Sequence, residues 1–194
     1  VTRTLAAPAR FELEVKKSRF LALGAPCSSD DARRDFLEQI RDPSATHHCW
    51  GWKAGQRYRF DDDGEPGGTA GRPILSAIEQ QGLDEVAVVV IRYYGGIKLG
   101  TGGLARAYGA SAAECLRQAT TKKLIVMTPL RVQLPFELIA TAHQILERHG
   151  AVKRDERYSS EGVDLDIECP APALRALRQD LQDASAGQAR VRSD

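Results

Sequence analysis

Arg92–Tyr108, RYYGGIKLGTGGLARAY, is the stretch on which the fold turns. Five of its seventeen residues are glycine, and it joins the most apolar run of the chain, Val86–Ile91, to the start of a helix. No acid occurs from Val86 to Ala113, whereas Arg92, Lys98 and Arg106 all do. A strand that empties into a basic, glycine-rich loop and then a helix start suits an anion. Loop and first-turn N–H groups point outward there, and the helix dipole adds positive potential. The glycine spacing fits neither a Walker A loop nor a dinucleotide fingerprint. The candidate anion or nucleic-acid contacts are Arg92, Tyr93, Tyr94, Gly96, Lys98, Gly100, Thr101, Gly102, Gly103 and Arg106. A plainer reading stands beside this one: the glycines only let strand and helix approach closely.

Upstream, Phe11–Lys16 alternates apolar and charged residues as a half-buried strand does, and Ser18–Ala25 reads as its antiparallel neighbour. Ser28–Asp31 offers cap chemistry for a helix reaching about Arg41, which Asp42–Pro43 ends. His47–Lys53 and Gln56–Phe60 form a hairpin turning at Ala54–Gly55. Thr69–Gly82 is expected to be a helix with Gly82 as its terminator. Val86–Tyr94 is apolar on both faces, as a central strand must be. Thr101–Thr120 is a long helix whose small residues allow close packing on the sheet.

At Thr120–Lys123 the texture changes. From Thr128 the order is strand Arg131–Leu134, helix Pro135–Gly150, strands Ala151–Tyr158 and Val163–Ile167, helix Ala171–Ala184 and strand Gln188–Arg192. This β-α-β-β-α-β order is the split βαβ, ferredoxin-like pattern. The expected organisation is a domain over 1–122, a linker over 123–127 and a ferredoxin-like domain over 128–194. The second domain shows no site of its own.

Composition is that of an ordinary globular protein, 42% apolar and 27% charged, with a net charge of +1. That balance argues against wholesale polyanion binding but leaves room for a local basic patch. The four cysteines, Cys27, Cys49, Cys115 and Cys169, are too dispersed for a zinc site or disulfide frame and read as buried thiols of a reduced compartment. No apolar leader and no run of about 18 apolar residues occurs, so a cytoplasmic protein without membrane contact is expected.

A second glycine-rich stretch, Asp61–Pro73 (DDDGEPGGTAGRP), is acidic. Asp61, Asp63 and Glu65 have the oxygens a hard cation needs, but the spacing is not that of an EF-hand. The reading without a metal is a solvated turn leading to a helix cap at Thr69, with Glu65 orienting Arg72 or a base of the other loop. In His47–His48–Cys49 the two histidines face opposite ways along a strand, so the three cannot ligate one metal. No metal and no cofactor is assigned.

Arg59–Leu75 (RFDDDGEPGGTAGRPIL) and Arg92–Gly109 (RYYGGIKLGTGGLARAYG), with Lys17–Phe20 (KSRF) and His47–Cys49, resemble the signatures of the IMPACT/YigZ family over about residues 10–120. Tyr94 stands where many relatives carry phenylalanine, which keeps the ring and adds a hydroxyl. The resemblance implies an α+β chain. Its N-terminal α/β sandwich would be of the ribosomal protein S5 domain 2-like kind, and its C-terminal domain ferredoxin-like, similar to the last domain of translocating elongation factors. It also implies a role in translation, since eukaryotic relatives regulate translation by protein contacts. The expected function is a non-catalytic, translation-associated regulator that binds RNA, the ribosome or another polyanion through the basic loop. Two alternatives stay open: an enzyme acting on a nucleotide or other phosphorylated small molecule, and a regulator that works by binding a protein.

Overall fold

A strand apolar on both faces must be covered on both. Val86–Tyr93 is the middle strand of a five-stranded antiparallel sheet, buried along nearly its whole length. The computed structural model describes residues 2–160 and 162–193. It divides the chain into two units, Val1–Leu124 and Ile125–Asp194. The first contains β1 (Arg3–Leu5), β2 (Ala9–Val15), β3 (Ser18–Pro26), α1 (Asp30–Gln39), β4 (His47–Ala54), β5 (Arg57–Asp61), α2 (Gly71–Gln80), β6 (Val86–Tyr93), α3 (Thr101–Gln118) and β7 (Thr121–Lys123). The main sheet runs β2-β3-β6-β4-β5, every pair antiparallel.

Alternation along β6 sorts the two faces. Val86, Val88 and Val90 join Phe20, Ala22 and Cys49 in a core closed by Ile74 and Ile78 of α2 and by Leu104, Tyr108, Ala112 and Cys115 of α3. Ala87 faces the other way, into a smaller core with Cys27, Trp52 and Ala54, covered by Ala32 and Phe36 of α1. Both tryptophans belong here. Trp52 donates its indole N–H to the Cys27 carbonyl (2.9 Å), and the Arg33 guanidinium lies over Trp50 at 4.5 Å. The result is an α-β sandwich of three layers, the S5 domain 2-like arrangement.

The second unit contains β8 (Met127–Leu134), α4 (Ile139–Arg148), β9 (Val152–Tyr158), β10 (Val163–Pro170), α5 (Leu174–Ala184) and β11 (Arg190–Ser193). A short 3₁₀ turn precedes each helix, at Phe136–Leu138 and Ala171–Ala173. The antiparallel sheet order β11-β8-β10-β9 is that of a ferredoxin-like βαββαβ domain. Leu130, Val132, Leu134, Leu165 and Ile167 face Ala142, Ile145, Leu146, Leu177 and Leu181 in a separate core.

Several boundaries differ from expectation. α2 begins at Gly71 rather than Thr69, and α3 ends at Gln118. Gly82 and Gly150 do end their helices, both at positive φ. β1 and β7 had no counterpart in the sequence reading. They pair as a two-stranded ribbon, Leu5 opposite Thr121, and bring Leu5 fully into the first core. β7 takes in Lys123, which the pattern had placed in a linker. All four cysteines are buried free thiols. Among the described residues, no helix is long and apolar enough to cross a membrane.

Candidate functional site

The acidic loop is shaped by Asp62. Its Oδ1 accepts from the N–H groups of Ala70 (3.0 Å) and Gly71 (2.8 Å), and its Oδ2 from Gly68 (2.8 Å). One carboxylate thereby caps α2 from outside and closes the loop. The Glu65 N–H donates to the Asp62 carbonyl (2.9 Å), and this turn leaves the Glu65 side chain pointing inward, with the residue 8% exposed.

There Glu65 Oε1 accepts from Arg92 Nη1 (2.6 Å) and from the Tyr108 hydroxyl (2.7 Å). The Arg92 side chain is 6% exposed. Its guanidinium lies between the rings of Phe20 (5.6 Å) and Tyr94 (5.3 Å). Its Nε–H is buried and has no hydrogen-bond partner. Burial, then the neighbouring Cys49, pushes the Tyr108 phenol far up, so it stays a proton donor to Glu65. Burial likewise raises the Cys49 thiol, which donates to the Asp62 carbonyl (3.0 Å) and is no nucleophile.

His47 completes the floor. Its Nδ1 lies 2.7 Å from the Asp63 carbonyl oxygen. A carbonyl only accepts, so Nδ1 carries a proton, and Nε2 lies 3.8 Å from Glu65 Oε1. Above this floor opens a cleft of about 520 Å³, walled by Thr46, Pro66, Tyr94, Lys98, Leu99 and the start of α3. Gly100 precedes α3 at φ 75° and no side chain caps the helix. Leu104 makes the first intrahelical bond, to the Gly100 carbonyl, which leaves the N–H groups of Thr101, Gly102 and Gly103 without one.

Residues 16–116 match the Impact N-terminal domain and residues 132–188 match a domain of unknown function, DUF1949. The chain belongs to the IMPACT family. It is 44% identical to "IMPACT family member in pol 5'region" of Thermus thermophilus, over 84% of this chain and 93% of that one. It is 38% identical to IMPACT family member YigZ of Escherichia coli strain K12, over 94% and 92%. A crystal structure described only as that of a hypothetical protein superposes with a TM-score of 0.84 at 36% identity, covering 100% of this chain and 97% of that one.

In this IMPACT domain the two glycine-rich stretches meet, since Glu65 and Pro66 line the same cleft as Tyr94, Lys98, Gly100 and Thr101. Other expected contacts lie elsewhere or act differently. Arg92 is not a free phosphate donor, because its charge is buried against Glu65. Glu65 therefore pairs with neither Arg72, Lys98 nor Arg106, and Arg72 reaches Glu79 on its own helix (3.6 Å). Tyr93 is on the opposite sheet face from Arg92. Its hydroxyl donates to Asp42 Oδ2 (2.6 Å), and Arg19 lies over its ring. Thr69 caps nothing and donates to the Pro66 carbonyl (2.6 Å). Asp61 accepts the Asp63 N–H (2.7 Å), and the Asp63 carboxylate accepts the His48 N–H (2.6 Å).

Gly96 and Gly100 have positive φ, whereas Gly103 packs against Leu99. Arg106 is exposed beside the first turn of α3, its Nη1 3.8 Å from where a Gly102 side chain would begin. Asp62, His47 and Tyr108 were not among the expected site residues. A carboxylate that caps a helix eight residues away has no periodic signature, and Tyr108 follows the apolar spacing of α3 like any core residue. Among the described residues, no group of three or more His, Cys, Asp or Glu side chains is arranged to hold a metal.

Proposed function

We propose that this IMPACT family member is a non-catalytic, translation-associated regulator that binds RNA, free or in the ribosome, by seating a nucleotide unit in the cleft. The observation that carries the reading is the uncapped start of the 18-residue α3, opening into a cleft that Lys98 also lines. Because Glu65 neutralises Arg92, the net positive field comes from the helix dipole and Lys98, with Arg106 just outside. A phosphate at the Thr101–Gly103 amides gains from both. Tyr94, 47% exposed, and Pro66 offer apolar surface against which a base can lie. Such contacts read backbone and ring faces, so sequence preference is slight.

Titration with oligonucleotides and with ribosomes across roughly 50–200 mM salt tests this. Affinity should fall steeply with salt, and Lys98→Ala/Arg106→Ala should weaken binding equally for all sequences. Absence of binding at low salt, or binding indifferent to salt, refutes the reading.

A second reading is favoured by His47, whose Nε2 lies 3.8 Å from Glu65 Oε1 in the same cleft, an imidazole and a carboxylate side by side as acid–base chemistry requires. It would make the chain an enzyme for a phosphorylated small molecule. A thermal-shift panel of nucleotides decides: a ligand at 100 times Kd stabilises by about 2.7 kcal/mol, and a flat panel removes this alternative.

A further inference from the structure

The sheet of the second unit has one face packed on its helices and one that is not, and charged side chains alternate onto the latter. Cross-strand register sets two rows there: Arg190, Gln133, Asp164 and Arg157; then Arg192, Arg131, Asp166 and Asp155. Asp166 is shared by Arg131 (2.9 Å) and Arg157, and Arg157 also meets Asp155 (3.5 Å), so the arginines of β8 and β9 are held by carboxylates of their own sheet. Arg190 and Arg192, on the edge strand β11, are exposed and have no ion-pair partner among the described residues. They border a cleft of about 370 Å³ with Arg131, Gln133, Arg157 and Asp164.

We infer that this arginine-lined sheet face is a second phosphate-binding surface, and that its ligand is the backbone of a single-stranded RNA running along β11. Residues two apart on a strand present side chains about 6.6 Å apart on one face, commensurate with successive phosphates of an extended strand. A guanidinium matches a phosphate through paired N–H donors, which a point-like ammonium does not. Charged residues on an edge strand also deter pairing with another sheet. That role leaves unexplained the cleft that Arg190 and Arg192 share with Gln133, an amide donor. No aromatic ring lines the cleft, so the contact is to phosphates and blind to sequence. The inference lies outside the site proposed above and stands if the α3 cleft binds nothing.

The test uses the full chain and labelled oligouridine, with affinity followed from about 50 to 200 mM salt. Arg190→Ala/Arg192→Ala should lower the slope of log Kd against log salt by about 1.4, since each neutralised phosphate of a single strand contributes about 0.7. Both side chains are exposed, so thermal unfolding should match wild type; Arg190→Gln/Arg192→Gln provides an independent pair. The Lys98→Ala/Arg106→Ala variant should retain the dependence on Arg190 and Arg192. An unchanged slope in both arginine pairs overturns the inference, whatever the cleft variant does. So does absence of oligouridine binding by wild type at the lowest salt. Displacement by oligoglutamate as effective as by unlabelled oligouridine overturns it in favour of an acidic protein partner.

Discussion

Arg92 keeps its charge inside the domain because Glu65 meets it there, with Tyr108 on the same oxygen. Removing one member leaves the other buried and uncompensated, at a cost of about 3–5 kcal/mol, whereas replacing both by apolar groups of similar volume is often near neutral. Glu65→Ala should therefore destabilise strongly in urea unfolding, and Glu65→Leu/Arg92→Met should cost far less than the sum of its parts. Asp42 offers a second test, this time of pH dependence. The Tyr93 hydroxyl, then Ser44, holds its carboxyl down from an ordinary 3.8 to about 2. A carboxyl depressed in the folded state contributes stability above its unfolded value and loses it as pH falls through the folded one. Asp42→Asn should flatten the stability profile between about pH 4 and 2 and leave it unchanged in shape at neutral pH. The glycines of the basic loop also separate at this scale. A Cβ on Gly95 would sit 2.0 Å from the Lys17 carbonyl, an immovable backbone contact. On Gly102 it would meet only the far end of Arg106. Gly102→Ala should raise stability by about 0.5–1 kcal/mol through helix propensity. If a phosphate rests on the first-turn amides, the same change lowers RNA affinity, and equilibrium binding beside urea unfolding reads both.

At the level of elements, α2 shows what the sequence conceals. Its start has neither an acid in the first turn nor a cap on its own N-cap residue, Ala70. Asp62 supplies both functions from the loop. Asp62→Ala should cost about 1–2 kcal/mol, the usual loss of a cap, and Asp61→Ala less, since Asp61 holds only one loop N–H. Urea midpoints of the two variants make the comparison. The three aspartates are indistinguishable in sequence, and the neighbouring Asp61 and Asp63 were the ones singled out. The regular elements were legible because each carries a period: two for β2 and β10, about 3.6 for α4 and α5, and unbroken apolarity for β6. The β1–β7 ribbon was not, because three-residue strands are too short to show one, and its pairing spans more than a hundred residues. In the site, the meeting of the two glycine-rich stretches followed from their matched chemistry. Which arginine met Glu65 did not, because a residue ending a buried strand reads equally as an outward donor or an inward partner.

Across the whole molecule, each unit has its own core, and the backbone joining them is short. The Leu124 N–H bonds Thr2 on one side, and the Val126 carbonyl accepts from Ala171 on the other. Ile125 and Val126 are 59% and 61% exposed. Limited proteolysis should cut first near these residues and release fragments that separate by mass. A later first cut, inside either core, would show that this segment is protected. Both tryptophans sit beneath α1, and the second unit has none. Indole emission is therefore a private reporter of the first unit, while circular dichroism sees both. If the units melt separately, denaturation followed by the two signals will give midpoints that fail to coincide. For the same reason, emission by itself does not follow the folding of the second unit, so a flat fluorescence trace alone is no proof that the whole chain is intact.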